Sequence, residues 1–147
     1  MNNKIENKKQ KMISIIVPMY NEEEVIDAFY KRVVEVLSKI EQKAEILFIN
    51  DGSKDNSLNI VRCLQKGDKR IKYVDLARNF GKELAMAAGF DYAKGDAVVV
   101  IDADLQDPPE LIIDMIKYWE VGYDDVYAKR TSRKGETFLK KFTSKMF

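Results

Sequence analysis

Asp102, Asp104 and Gln106 stand at alternate positions in "VVVIDADLQDPPELI", where an apolar run gives way to acids, an amide and two prolines. In an extended segment, residues two apart point to the same side, so this spacing gathers three oxygen-bearing side chains. Hard divalent cations take oxygen ligands. Mg²⁺ and Mn²⁺ sites use one or two carboxylates and leave the rest of the shell to water and substrate phosphate. Two carboxylates held close together repel unless a cation lies between them. Asp107 has an ordinary explanation: followed by Pro108, with Glu110 three residues on, it reads as the cap of a helix. Asp102 and Asp104 cap nothing, which leaves a metal or another cationic ligand as their reading.

Two further stretches hold polar residues of the same kind. In "NDGSKDNS", Asp51, Gly52 and Ser53 are ordinary turn residues, yet Asp51 directly follows an apolar run and can accept hydrogen bonds from a base or ribose. "ARNFGKE" offers Arg78, Asn79 and Lys82. Arg78 suits a phosphate partner, whereas Lys82 reads equally well as a solvated helix residue. The chain contains no histidine. Triads built on histidine, histidine bases and histidine metal ligands are therefore excluded for this chain, and acid/base or metal chemistry falls mainly to Asp and Glu.

The elements that must position these residues alternate. "MISIIVP", "AEILFIN", "IKYVDLA" and "DAVVVID" are short apolar runs of strand length, and "DDVYAKR" is expected to form a fifth strand. Between them lie helical patterns. "NEEEVIDAFYKRVVEVLSKIEQ" has apolar residues at 26, 29, 33, 37 and 40, with Glu22, Glu23 and Glu24 in its expected first turn. Asp55 is expected to cap a helix reaching Gly67 that turns Leu58, Val61 and Leu64 inward. "FGKELAMAAGFDYAKG" is expected to be a small-residue helix that stops at Gly95. A last one runs from "PPE" to Gly122. Strands that are apolar throughout, alternating with helices, specify a mostly parallel α/β sheet with helices on both faces. Ligands of such sheets bind beyond the carboxyl ends of the strands, which is where all the polar stretches fall.

A chain of 147 residues, 46% hydrophobic and 33% charged, is expected to build one core. Twenty-five basic residues against 24 acidic ones leave a net charge of +1, which argues against nucleic acid as the partner. One cysteine, Cys63, allows no internal disulfide. No window approaches the about 20 apolar residues of a membrane span. Residues 1–11 are polar and lysine-rich and read as a disordered lead-in. No P-loop and no G-x-G-x-x-G occurs.

"SIIVPMYNEEE", "NDGSKDNS", "ARNFGKE" and "DADLQDPPE", in this order and spacing, resemble a family 2 glycosyltransferase of GT-A (Rossmann-like) fold. "RNFGKE" and "DADLQDP" resemble most the polyprenyl-phosphate branch, which includes bactoprenol glucosyltransferases and dolichol-phosphate mannose synthases. The resemblance covers residues 12–147. It implies inverting transfer of a sugar from a nucleotide-sugar to a polyprenyl phosphate, assisted by Mg²⁺ or Mn²⁺, with UDP-glucose the first expectation for the donor and GDP-mannose the second. It implies that Pro18, Tyr20, Glu22, Asp51, Ser53, Arg78 and Asp102 border the nucleotide. Asp102, Asp104 and Gln106 then match the metal and diphosphate site, and Asp104, Arg130 and Arg133 carry the chemistry and hold the phosphates and the acceptor.

The domain is expected over residues 12–135, and residues 136–147 begin an amphipathic helix, with Phe138, Leu139, Phe142 and Met146 set among Lys140, Lys141 and Lys145. That helix either packs on its own domain or lies in a membrane interface. Members of the resembled family continue beyond this point, often into transmembrane helices. The expectation is thus a GT-A domain cut short at its C-terminus, from a parent anchored at the cytoplasmic face of a membrane, with uncovered apolar surface that promotes homo-oligomers. Two other readings stand beside this one. A family 2 enzyme acting on a sugar hydroxyl would need a carboxylate base. A receiver-like regulatory module would place its acid pair after the first strand rather than the fourth.

Overall fold

The computed structural model describes residues 10–129. They contain β1 (Met12–Met19), α1 (Ile26–Leu37), β2 (Lys43–Asn50), α2 (Ser57–Gly67), β3 (Ile71–Asp75), α3 (Lys82–Tyr92), β4 (Ala97–Val100) and α4 (Leu111–Glu120). The four strands form one parallel sheet in the order β3-β2-β1-β4. Its centre is continuous hydrophobe: Ile13, Ile15, Ile16 and Val17 of β1 and Ile46, Phe48 and Ile49 of β2 are wholly inaccessible. A strand buried on both faces needs apolar side chains at every position, which is why these runs do not alternate.

Helices cover both faces, as the sequence pattern requires. On one, Ala85 of α3 packs on Ile16, Leu47 and Ile49. Gly89 permits the close approach, since a Cβ there would lie 2.5 Å from Cγ2 of Ile16. On the other, Phe29 of α1 meets Phe48 edge-on, with ring centroids 6.2 Å apart. Two compact units divide the chain, one ending at Asp114 and the other starting at Met115. Within the second, Tyr118 and Tyr123 stack edge-to-face.

At the amino end of the sheet a buried polar knot fixes the turn into β4. Ser14 donates from Oγ to Glu45 (2.6 Å), and the Lys94 and Gly95 amides donate into the same pair. A Cβ on Gly95 would lie 2.5 Å from the Ser14 nitrogen, so only glycine fits. Nearby at β3, Arg70 and Tyr30 hold the Asp68 carboxylate, and the arginine contacts bring its pKa down to about 2. Because the folded value lies below the ordinary one of 3.8, this carboxylate stabilises the fold above about pH 4 and loses that effect as pH falls toward 2. Asp68→Asn is therefore expected to cost about 1 kcal/mol at pH 7, allowing for solvent screening of the partly exposed pair. Denaturant titrations at pH 7 and pH 2.5 check this: the difference between the two proteins should shrink at the lower pH.

Several local expectations differ. Asp124–Lys129 form no strand. Glu22, Glu23 and Glu24 precede α1 in a turn closed by the Val25 and Ile26 amides on the Glu22 carbonyl, and the acid in the first helical turn is Asp27. Asn56 rather than Asp55 is the residue before α2, although Asp55 still accepts from the Ser57 amide at 3.0 Å. α4 begins at Leu111, after a tight turn over the two prolines. Asp107 thus lies outside the helix, and Glu110 makes a two-bond ion pair with Arg32 of α1.

Candidate functional site

The four polar stretches leave the carboxyl ends of β1, β2, β3 and β4, all on one edge of the sheet. The first two are laced together. The amides of Asn21, Glu22 and Glu23 donate to Ser53, Ser57 and Asp55, and the Lys54 and Asn56 amides donate back to the side chains of Asn21 and Glu23. Asn21 takes a left-handed conformation, φ 55°, to allow this. The amides of Asn21, Glu22 and Glu23 are thereby used by side chains more than thirty positions away. Tyr20 is left exposed beside the lacing.

The second and third stretches are locked as tightly. Asp51 is 3% exposed, and its two oxygens accept from the Phe80 (2.7 Å) and Gly81 (2.9 Å) amides. Gly52, at φ 68°, lets the chain at Arg78 and Asn79 approach so closely that a Cβ would lie 2.5 Å from the Arg78 carbonyl carbon. Asn50 completes the brace by donating to Asp75 and accepting from Ser53. The loop held this way presents Arg78 stacked on the Phe80 ring, 4.5 Å from its centroid. It also presents Lys82, whose ammonium lies 2.6 Å from Oδ2 of Asp102.

The fourth stretch departs from the extended geometry expected of it. β4 ends at Val100, and the Asp104 carboxylate accepts from the Gln106 amide at 2.9 Å, with Leu105 between them at φ 59°. The chain turns here, so strand alternation does not group Asp102, Asp104 and Gln106. Electrostatics nonetheless connect the acids. The Glu22 carboxyl is pushed above its ordinary pKa, first by burial and then by the charges of Asp104, Asp102 and Asp55. Like charges raise one another's pKa, and a cation among them would relieve the strain.

The predicted residues Pro18, Tyr20, Glu22, Asp51, Ser53, Arg78, Asp102, Asp104 and Gln106 all lie on this edge. Arg130, Arg133 and the amphipathic stretch at 136–147 fall outside the described residues. Sequence reasoning missed the grip of Asp51 on Phe80 and Gly81 and the placement of Lys82 on Asp102. The one available signal was that Lys82 follows a glycine at the same sheet edge. Among the described residues no three acids or cysteines gather tightly enough to form a metal cage by themselves. The donor set offered by Asp102 and Asp104 is instead oxygen-only and incomplete, which fits Mg²⁺ or Mn²⁺ sharing its shell with phosphate and water. Among the described residues no helix is long and apolar enough to cross a membrane.

Known proteins are similar to this chain in sequence and fold. The chain is 58% identical over 134 residues to the "uncharacterized glycosyltransferase YkcC" of Bacillus subtilis, covering 91% of this chain and 42% of that protein. It is 47% identical over 135 residues to the bactoprenol glucosyl transferase of Shigella phage SfV, covering 92% of this chain and 44% of that one. The chain thus spans less than half the length of these relatives. Among solved structures, S. aureus TarS 1–349 in complex with UDP-GlcNAc superposes with a TM-score of 0.59 at 25% identity, over 75% of this chain and 31% of that one. The family model described as glycosyl transferase family 2 matches residues 14–146, nearly the whole sequence, and this chain belongs to that family.

Proposed function

We propose that the chain forms the nucleotide-sugar-binding part of a polyprenyl-phosphate glycosyltransferase, which transfers a hexose from a nucleotide diphosphate sugar to a lipid phosphate at a membrane surface, with inversion. The carrying observation is the charge arrangement on the sheet edge: Asp102 and Asp104 leave β4 opposite a braced loop and helix start that bear Arg78 and Lys82, with Lys82 on Asp102, beside a Glu22 carboxyl raised above its ordinary pKa by burial first and then by these two charges. The 47% identity to a bactoprenol glucosyl transferase supports the lipid phosphate as acceptor. UDP-glucose is the donor this reading favours.

Asp102 and Asp104 would hold Mg²⁺ or Mn²⁺, with Gln106 as a neutral oxygen donor, and the ion would act as a Lewis acid toward the departing diphosphate. Pro18, Tyr20 and Glu22 border the nucleotide, with Ser53 on its base side, while the buried Asp51, expected to reach the base, instead holds the Phe80–Gly81 loop from beneath. Arg78 offers a guanidinium to a phosphate. The absence of histidine is no obstacle: a phosphate acceptor, with a second pKa of about 6, is already an anion near neutral pH and needs positioning rather than deprotonation. Arg130 and Arg133 are assigned that positioning.

Calorimetric titration of UDP, GDP and CDP, with and without Mn²⁺, tests the reading. One diphosphate, UDP by preference, is expected to bind only with the metal, and Asp104→Asn is expected to weaken it by about 10- to 100-fold. Metal-independent binding, or equal binding by the Asn variant, would remove the metal and Asp104 from the site.

A further inference from the structure

Lys82 is the first residue of α3, and its Nζ lies 2.6 Å from Oδ2 of Asp102, twenty residues further along the chain. The backbone on which it stands is anchored independently, because the preceding Phe80 and Gly81 amides are held by the buried Asp51 carboxylate. The pair itself is open to solvent, with the lysine side chain 56% and the aspartate side chain 33% exposed. An exposed ion pair on a backbone anchored separately is a displaceable contact, since ion pairs in solvent contribute little to stability. That contact also falls on one of the two carboxylates offered to a metal. An ammonium and a divalent cation held a few ångströms apart repel, so one must yield Asp102 to the other.

We propose that Lys82 is the resident counter-ion of the metal site: it neutralises Asp102 in the ligand-free protein, opposes a divalent cation arriving alone, and transfers to the diphosphate when metal and nucleotide bind together. This rests on the metal-and-nucleotide reading given above. Its consequence is a coupling between two ligands. The metal frees the ammonium, and the diphosphate gives it a new anionic partner. Each ligand therefore tightens the other by the same factor. Lys82 acts here as a positioning and gating residue for the donor.

The test is Mn²⁺ binding to the whole chain, followed by the electron paramagnetic resonance of the free ion, first without nucleotide and then with UDP. Lys82→Met, which keeps the unbranched apolar stem and loses the charge, is expected to bind Mn²⁺ alone about tenfold more tightly, the size of a charge repulsion across about 5 Å of water. UDP should then enhance Mn²⁺ binding less in this variant than in the unmodified protein. Lys82→Arg should keep the unmodified behaviour, because the charge remains. Equal Mn²⁺ affinity of the Met variant and the unmodified protein, with Asp102→Asn still weakening both, would overturn the counter-ion role and leave the metal site standing. Absence of Mn²⁺ binding in every protein, with and without UDP, would overturn the metal reading and the role together. Thermal unfolding of the Met variant should match the parent closely, so a loss of fold cannot mimic either result.

Discussion

Gly52→Ala is expected to lower the thermal unfolding midpoint by about 10 °C and to abolish the proposed nucleotide binding, although the change adds only one methyl group to a turn. Two costs combine. At φ 68° the residue sits in the left-handed region, where a Cβ costs about 1–2 kcal/mol. The new carbon would also lie 2.5 Å from the Arg78 carbonyl carbon and 2.6 Å from the Asn79 nitrogen. Both are backbone atoms of a loop fixed by Asp51, and neither can rotate away. Forcing them apart adds about 1–3 kcal/mol, for a total of about 4 kcal/mol. The loop that must move is the one carrying Arg78 and Lys82, so stability and binding should fall together. Differential scanning calorimetry and a UDP–Mn²⁺ titration on the same sample decide the matter. A midpoint within 2 °C of the parent would show that the loop yields freely, and the brace described above would have to be abandoned.

Asp51→Asn should cost nearly as much. The replacement is almost isosteric, yet an amide presents one oxygen where the carboxylate presents two. Either the Phe80 or the Gly81 amide then faces an NH₂ group. Each of these bonds is made to a charged acceptor in a site only 3% exposed. Losing one and leaving a buried donor unpaired amounts to about 3 kcal/mol. Amide hydrogen exchange distinguishes this from a general weakening. Protection should fall at Phe80 and Gly81 by more than it falls in β1 or β2. Uniform loss across the sheet would instead make Asp51 an ordinary core residue with no particular hold on the loop.

The parts of the fold legible in the sequence were those that depend on local pattern. "SIIVP" and "EILFIN" are apolar at nearly every position, and that alone separates a doubly covered parallel strand from a half-exposed one. The carboxyl-edge rule then placed Asp51, Arg78, Asp102 and Asp104 on one rim. What escaped was set by partners far along the chain. Glu22 to Glu24 have the composition of a first helical turn, but the chain there is laced from Asn21 onward to Ser53, Ser57 and Asp55, and helix α1 starts at Ile26. Asp55 divides its carboxylate, one oxygen on the Ser57 amide of α2 and the other on the distant Glu23 amide. Asp51 looked like a turn residue because nothing within ten positions reveals that its acceptors serve amides 29 and 30 residues away. "DDVYAKR" has strand composition but no ladder partner among the described residues, and a strand exists only as a pair.

The sheet edge has a further property that follows from where its contacts come from. Asn21 reaches Ser53, Asp51 reaches Phe80, and Lys82 reaches Asp102, each across a full strand–helix crossover. No two neighbouring segments can build any portion of this rim by local turn formation, and parallel pairing of this kind closes late because loop entropy must be met first. A collapsed or half-zipped chain consequently carries no fraction of the binding capacity. Under the proposed function, bound ligand would then count only completely folded molecules. On that reading, the diphosphate equivalents bound should track the native fraction present with the ligand, a fraction that ligand excess itself raises by mass action.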